Sequence, residues 1–209
     1  GDANAMSKII LITGASRGIG AETARLAAER GYSLCLNYRN NRQAAEDLCA
    51  SLNGDGHHAI AWQADISVEA DVMAMYEAID REFGRLDGLV NNAGILERQS
   101  DVVDMSRERW QRILDINVIG CFLCAREAIK RMSTLNGGQG GSIVPEGPLT
   151  SSRRVTTWLV DAMVEPPSTV ITLNGFIINI EKYAEAPSTG RRAAAWMNIK
   201  PKISHEIIP

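Results

Sequence analysis

The stretch Thr13-Gly14-Ala15-Ser16-Arg17-Gly18-Ile19-Gly20 decides the fold of this chain. It follows the apolar run Ile9–Ile12 and leads into a helix-forming segment over residues 21–30. The three glycines allow a tight turn and the close approach of a pyrophosphate, and the start of a helix offers free N–H groups and the positive end of its dipole. This order of strand, glycine turn and helix predicts a dinucleotide site. A plain strand-turn-helix connection is the alternative, because glycine is also a common turn residue.

Length, charge and hydropathy limit the classes of protein to consider. The chain has 209 residues, 45% of them hydrophobic, which predicts one domain with a sizeable core. A net charge of −3 argues against nucleic acid or an anionic membrane as the main partner. No apolar segment approaches the roughly 20 residues that span a bilayer. We expect a soluble, cytoplasmic protein in which residues 1–5 are a cloning remnant before a native start at Met6.

The four cysteines are predicted to be reduced core residues. Cys35, Cys49, Cys121 and Cys124 stand in apolar or helical contexts. The pair Cys121-x-x-Cys124 lacks the second cysteine pair or the histidines of a zinc site. We therefore predict no metal site, with redox or metal roles as the alternative.

Alternating apolar and amphipathic segments predict an α/β fold for residues 7–144. Short apolar runs, read as strands, alternate with helical patterns and end in a long helix and a fifth strand. The predicted strands after the first are 33–38, 58–62, 86–90 and 142–144, and the predicted helices are 21–30, 41–52, 68–83 and 104–132. Such alternation implies right-handed crossovers and a doubly wound parallel sheet with helices on both faces, a Rossmann-like architecture.

The composition of the chain changes at Val144. All seven prolines lie beyond this residue, whereas fifteen of the eighteen glycines lie before it. We predict a boundary here, with 145–209 an atypical segment packed on the same domain. Within it we predict a helix over 151–163, a hairpin over 170–180 that turns at Asn174-Gly175, and one or two helical turns over 193–199.

Four motifs in the first 144 residues resemble those of the short-chain dehydrogenase/reductase family. They are the glycine turn in its T-G-x-x-x-G-x-G form, Asp65-Ile66 after the third strand, Asn91-Asn92-Ala93-Gly94 after the fourth, and Asn117 in the long helix. The resemblance implies that Asp65 and Ile66 contact the adenine of a nicotinamide cofactor. It further implies that Asn91, Ala93 and Gly94 stabilise the sheet beside the cofactor, and that Asn117 belongs to the catalytic centre. Taken singly, these motifs also read as a helix N-cap, a turn and a buried asparagine.

The end of the second strand predicts which nicotinamide cofactor is bound. An acidic residue at this place accepts a hydrogen bond from a ribose 2′-hydroxyl and repels a 2′-phosphate. The sequence there is Tyr38-Arg39-Asn40, without an acid, and Arg17 in the glycine turn is a second guanidinium. Because guanidinium groups suit bidentate phosphate recognition, we predict NADP(H) over NAD(H). The alternative for Arg39 is a solvated loop charge.

The catalytic centre that the resemblance implies is not found in this sequence. Family members use a serine after the fifth strand, and a tyrosine whose pKa is lowered by a lysine four residues later. Here the expected serine is Pro145, and the only tyrosine beyond Tyr76 is Tyr183, which has Pro187 four residues on. Asn117 is the one recognisable member of the centre.

Three hypotheses about function follow. The chain is an NADP(H)-dependent oxidoreductase acting on a small carbonyl or alcohol, or an inactive dinucleotide-binding or interaction protein of the same fold, or a chain whose reading frame changes after residue 144. The resemblance also implies a homo-oligomer formed through the 104–132 helix.

Overall fold

A computed structural model describes residues 7–145, 170–173, 176–179 and 199–201. Residues 1–6, the helix predicted over 151–163 and the turn residues 174 and 175 lie outside the described residues. The division at residue 144 into a main domain and an atypical segment stays a prediction.

Five parallel strands lie side by side in one sheet, as the sequence predicts. The strands are β1 (Ile9–Ile12), β2 (Ser33–Tyr38), β3 (Ala59–Gln63), β4 (Gly88–Asn91) and β5 (Ser142–Pro145), in the order β3-β2-β1-β4-β5. Strands β2 and β3 lie on one side of β1, and β4 and β5 lie on the other, so the strand order switches sides between β1 and β4. These two strands pair in parallel, with Ile10 opposite Gly88. At such a switch point the loops after neighbouring strands diverge and leave a crevice at their carboxyl ends.

Helices cover both faces of the sheet and bury alternate residues of its strands. They are α1 (Gly18–Glu29), α2 (Arg42–Gly54), α3 (Glu69–Phe83), α4 (Arg107–Leu114) and α5 (Cys121–Met132). Leu11 packs in one cluster with residues of α3 and α5, whereas Ile10 and Ile12 pack with α1 and α2. Because successive side chains of a strand point to opposite faces, a run of four apolar residues serves both cores.

The prediction of one long helix over 104–132 is wrong in two respects. The α-helix begins at Arg107, where the Ser106 hydroxyl accepts a hydrogen bond from the N–H of Arg109, and a 3₁₀ turn, Val102–Asp104, precedes it. A six-residue π-helical turn, Asp115–Gly120, separates α4 from α5. Wider turns of this kind are often found at functional sites. Asn117 lies within it.

Three further strands extend the sheet beyond β5. They are β6 (Val170–Leu173), parallel to β5, then β7 (Phe176–Asn179) and β8 (Ile199–Pro201), each antiparallel to its predecessor. The pairing of Leu173 with Phe176 confirms a hairpin joined by two residues. The prediction of helical turns over 193–199 is wrong at Ile199, which begins β8.

All four cysteines are free thiols. Burial raises the pKa of Cys35, Cys121 and Cys124, so the reactive thiolate form is disfavoured at each. The described residues hold no group of three His, Cys, Asp or Glu side chains placed to bind a metal ion. Among the helices in the described part of the chain, none has both the length and the apolar character to cross a membrane.

Candidate functional site

A cleft of about 640 Å³ lies at the carboxyl ends of β1 to β4. Nine of the twelve residues predicted to bind cofactor line it: Gly14, Ser16, Arg17, Gly18, Arg39, Asp65, Ile66, Ala93 and Gly94. The other three, Ile19, Gly20 and Asn91, do not line the cleft. The structure thus brings together residues from four separate loops, as expected of a parallel sheet in which all strands end at one edge.

The glycine turn is anchored by the side chain of Asn37, which the sequence analysis missed. The backbone φ angles of Gly14 and Gly18 are 64° and 58°, in the left-handed region that favours glycine. The N–H of Gly14 donates to Asn37 Oδ1 at 3.2 Å, and Asn37 Nδ2 donates to the carbonyl of Ala64 at 3.1 Å. Asn37 therefore fixes the glycine turn relative to the segment that carries Asp65. A polar residue within the buried strand β2 was the available signal.

Thr13 and Asn92 join the glycine turn to the loop after β4. The hydroxyl of Thr13 accepts hydrogen bonds from the N–H groups of Asn92 and Ala93, both at 3.0 Å. In return, Asn92 Nδ2 donates to the carbonyls of Thr13 at 2.7 Å and Gly14 at 3.0 Å. These reciprocal bonds hold Ala93 beside the turn and so set the width of the cleft.

Gly20 and Asn91 have structural places next to the cleft. A Cβ on Gly20 would lie 2.4 Å from Asn92 Nδ2 and 2.7 Å from the carbonyl oxygen of Gly14, so only glycine lets α1 start this close to the turn. Asn91 is 2% exposed, and its Nδ2 donates to the carbonyl of Cys121 at 3.2 Å. This bond ties the end of β4 to α5.

An ion pair spans the end of the cleft that β2 and β3 form. Arg39 Nε lies 2.8 Å from Asp65 Oδ2. The other carboxylate oxygen, Oδ1, accepts from the N–H of Ser67 at 3.0 Å and from its hydroxyl at 2.6 Å. Because α3 begins after Val68, Asp65 is not its N-cap residue. The side chain of Arg39 is 52% exposed and has Asp65 as a charged partner.

Asn117 holds the loop after β4 against the π-helical turn. Its Oδ1 accepts from the N–H of Ile95 at 2.8 Å, and its Nδ2 donates to the carbonyl of the same residue at 2.9 Å. Both polar atoms of the amide are therefore used on Ile95, which lines the cleft. The side chain of Asn117 positions this wall and offers no group that titrates.

The described residues contain a serine, a tyrosine and a lysine close together, but at the ends of the strands opposite the cofactor cleft. Lys8, Tyr32 and Ser142 line a separate cleft of about 180 Å³ at the amino ends of the strands. Burial raises the pKa of the Tyr32 phenol, an effect opposed by Arg30 and reinforced by Asp87. This phenol is therefore a weaker acid than usual and far from the predicted cofactor cleft.

Tyr76 is likewise unsuited to proton transfer. It is fully buried, and its hydroxyl donates to the carbonyl of Cys124 at 2.6 Å. Burial raises its pKa well above 10. Of the described lysines, Lys130 is paired with Glu127 at 2.8 Å on α5. Among residues 7–144, no lysine stands beside a tyrosine at the cofactor cleft.

The fold and the cleft define an α/β protein with a site of the dinucleotide-binding type. Comparison with known proteins gives the family: the model of the short chain dehydrogenases matches residues 8–157, beyond the point at which the motifs end. The chain belongs to the short-chain dehydrogenase/reductase family of oxidoreductases.

Curated relatives and a solved structure agree with this assignment. The chain is 50% identical over 136 residues to the uncharacterized oxidoreductase YgfF of Escherichia coli K12, covering 65% of this chain and 55% of that protein. It is 37% identical over 133 residues to the 3-oxoacyl-[acyl-carrier-protein] reductase FabG of Staphylococcus aureus Mu50, covering 64% and 54%. The crystal structure of acetoin dehydrogenase from Enterobacter cloacae matches with a TM-score of 0.64 at 34% identity, covering 74% of this chain and 62% of that chain. The chain spans about half the length of the curated relatives it matches.

Proposed function

We propose that the chain binds NADP(H) in the large cleft and derives from an oxidoreductase that transfers hydride between the nicotinamide and a carbonyl or alcohol. The observation that carries the proposal is the pair of guanidinium groups, Arg17 and Arg39, on one cleft with the glycine turn. No carboxylate stands at the end of β2 to favour a free ribose 2′-hydroxyl. The names of these proteins include acetoin and a 3-oxoacyl-[acyl-carrier-protein], both of which carry a carbonyl group, and this supports a carbonyl or alcohol compound as the substrate class.

The described residues divide into three parts along the cleft. The glycine turn and the N-terminus of α1 would hold the pyrophosphate through backbone N–H groups. Asp65 and Ile66 would contact the adenine, with Arg39 beside them. Ala93, Gly94 and the Asn117-held loop would line the nicotinamide half. A bound nicotinamide would supply the hydride in carbonyl reduction or accept it in alcohol oxidation, and the protein residues would bind and orient the cofactor.

A second candidate function is dinucleotide binding without catalysis. It is favoured because the described cleft contains no tyrosine, lysine or serine in the arrangement that proton transfer needs. A reading-frame change after residue 144 would explain the loss of these residues together with the shift in proline and glycine content. Intact mass and the gene sequence across codons 140–209 test this: an ordinary family continuation in another frame would support it, and its absence would leave the inactive binding protein.

We predict that NADPH binds more tightly than NADH and that Arg39→Ala removes most of the difference. Hydrogen bonds to charged groups contribute about 1.5–3 kcal/mol, or roughly 10- to 100-fold in affinity. Titration of both cofactors, followed by fluorescence or calorimetry, measures this ratio. The preference should weaken at high salt, because Arg39 is half-exposed and the attraction is screened.

Arg42→Ala is the matched control for Arg39→Ala. Arg42 also carries one positive charge near the start of α2, but it lies 3.6 Å from Glu46 and does not line the cleft. This variant should keep the preference for NADPH. Equal affinities for the two cofactors in the unaltered chain would remove the role assigned to Arg39.

We further propose a homo-oligomer formed through the 104–132 region. Four large apolar side chains there are 41–48% exposed: Trp110, Leu114, Ile119 and Phe122. We predict that Phe122→Asp lowers the mass measured by light scattering, since a charge would be buried in the contact. A monomeric mass for the unaltered chain would contradict this proposal.

A further inference from the structure

Arg39 is held at two points in the structure. Its guanidinium pairs with Asp65 through Nε, and its backbone carbonyl accepts a hydrogen bond from Gln63 Nε2 at 2.9 Å. Gln63 is the last residue of β3 and Arg39 follows the last residue of β2, so the two contacts connect neighbouring strand ends. A long side chain in a loop is thereby restricted before any ligand is present.

The position of Asp65 is fixed in turn by Ser67. Two hydrogen bonds from Ser67 hold Oδ1, which leaves Oδ2 directed at Arg39. An ionised carboxylate has about four acceptor positions, and Ser67 occupies two of them on Oδ1. Oδ2 therefore keeps acceptor capacity, beside its ion pair with Arg39, for a ligand N–H such as an adenine amino group. The same carboxylate therefore can serve the adenine and Arg39 at once.

The contact at Nε leaves the two amino groups of the guanidinium available. A guanidinium has five N–H donors in a rigid fork, four of them on the Nη atoms, and the Nη pair matches two phosphate oxygens. No hydrogen bond joins the Nη groups of Arg39 to the described residues. Ordering a flexible side chain at a binding site is unfavourable, and prior ordering removes part of that cost.

We propose that Gln63, Asp65 and Ser67 are positioning residues that hold Arg39 ready for a 2′-phosphate and so increase the preference for NADP(H). The proposal rests on NADP(H) binding in the cleft. It assigns the specificity of the site to a chain of contacts, Ser67 to Asp65 to Arg39 and Gln63 to Arg39, rather than to the arginine alone.

Charge-neutral variants separate positioning from simple electrostatics. Gln63→Ala and Ser67→Ala leave the net charge unchanged, and neither residue lines the cleft. We expect each to weaken NADPH binding by about two- to fivefold more than NADH binding, and the two together by up to about tenfold more, because NADH has no 2′-phosphate for Arg39 to bind. Calorimetric titration of each variant with both cofactors gives the NADPH-to-NADH ratio, which a general loss of structure would not change selectively.

Two further variants complete the test. Gln43→Ala is the matched control, because Gln43 bonds Asp47 on the surface of α2 at 2.9 Å and does not contact Arg39. Repeating Gln63→Ala and Ser67→Ala in the Arg39→Ala background should abolish their effect on the ratio. Unchanged ratios in both single variants, or equal losses for NADPH and NADH, would overturn the proposal.

A measurement without cofactor tests the same contacts. In the unliganded chain, the side chain of Arg39 should show restricted motion in arginine-edited NMR relaxation measurements, and Asp65→Asn should increase that motion. A freely moving Arg39 side chain in the unaltered chain would show that the ion pair does not hold it in solution, and the proposal would fall.

The outcomes also distinguish this inference from the proposed function. If neither cofactor binds, the proposed function fails, and this inference with it. If both bind equally and Arg39→Ala changes nothing, the assignment of the 2′-phosphate fails. If NADPH is preferred through Arg39 but Gln63→Ala and Ser67→Ala are without effect, only the positioning inference fails.

Discussion

Mixed with NADPH and a carbonyl substrate, the chain is expected to bind the cofactor but to turn over at least about 10²-fold below an ordinary enzyme rate of ~10 s⁻¹. Hydride transfer to a carbonyl requires a proton at the substrate oxygen. A positioned general acid or base typically contributes about 10²–10⁴-fold to the rate. No described residue of the cleft supplies such a group.

The environments of two of the described tyrosines, Tyr32 and Tyr76, support this expectation. An unperturbed phenol has a pKa of about 10 and needs a neighbouring positive charge to act near neutral pH. Burial instead raises the pKa of Tyr32 and Tyr76, and both lie away from the large cleft. Asn117 cannot replace them, because its amide does not titrate and both its polar atoms are bonded to Ile95.

The assay is NADPH oxidation with a panel of aldehydes, ketones and diketones, with cofactor binding measured on the same sample. Binding without turnover supports the prediction and shows that the protein is folded. Turnover near 10 s⁻¹ that Tyr183→Phe abolishes would contradict it. That result would mean that the fold brings Tyr183 to the substrate together with a lysine from a distant position such as Lys182 or Lys200.

The glycine turn and the strands around it could be predicted because their signals are local. Ile9–Ile12 is a short apolar run directly before three glycines at fixed spacing, and both features act within a few residues. The alternation that follows then restricts the topology, since consecutive parallel strands need crossovers of one hand. The cleft residues of the glycine turn were found in this way, whereas Asp65-Ile66 was found through its resemblance to a motif of the family.

The contacts that were missed depend on side chains far apart in sequence. Asn37 bonds Gly14 and Ala64, and a polar residue in a buried strand does not by itself indicate which partners it has. The ion pair between Arg39 and Asp65 joins residues from different loops, and so it is visible only once β2 and β3 are paired. The π-helical turn around Asn117 has the same character. An α-helical pattern of apolar residues runs through it, whereas the turn accompanies tertiary contacts to Ile95 and Ile66.

A large loss of stability is expected from Gly20→Ala, a change of one methyl group. Its Cβ would lie 2.4 Å from Asn92 Nδ2, 2.7 Å from the Gly14 carbonyl oxygen and 3.1 Å from the Ala15 Cα. Two of these three neighbours are backbone atoms of the turn, which cannot rotate away. Overpacking typically costs about 1–3 kcal/mol, and we expect about 3 kcal/mol here, together with a loss of NADPH affinity, because the turn that binds the pyrophosphate must shift. Urea denaturation measures the first and cofactor titration the second.

Two other glycines serve as matched controls. Gly54 ends α2 with no atom within 4 Å of the added Cβ, so Gly54→Ala should be neutral or slightly stabilising. Gly18 also has open space but a φ of 58°, so Gly18→Ala should cost about 1–2 kcal/mol from backbone strain alone. If Gly20→Ala destabilised the chain no more than Gly18→Ala does, the close approach of α1 to the turn would be incorrect.

A double-mutant cycle identifies which neighbour opposes the methyl group. Asn92→Ala removes the nearest atom, but it also removes the hydrogen bonds to the carbonyls of Thr13 and Gly14. If the contact with Asn92 dominates, the double variant should be less destabilised than the sum of the two single variants. The reason is that Asn92→Ala removes the atom with which the added methyl group clashes. If the carbonyl of Gly14 dominates, the two effects should add. We expect the double variant to be destabilised by about 1 kcal/mol less than the sum of the two single variants. Part of the cost of Gly20→Ala should remain, because the contact with the Gly14 carbonyl oxygen at 2.7 Å is still present when the Asn92 side chain is gone.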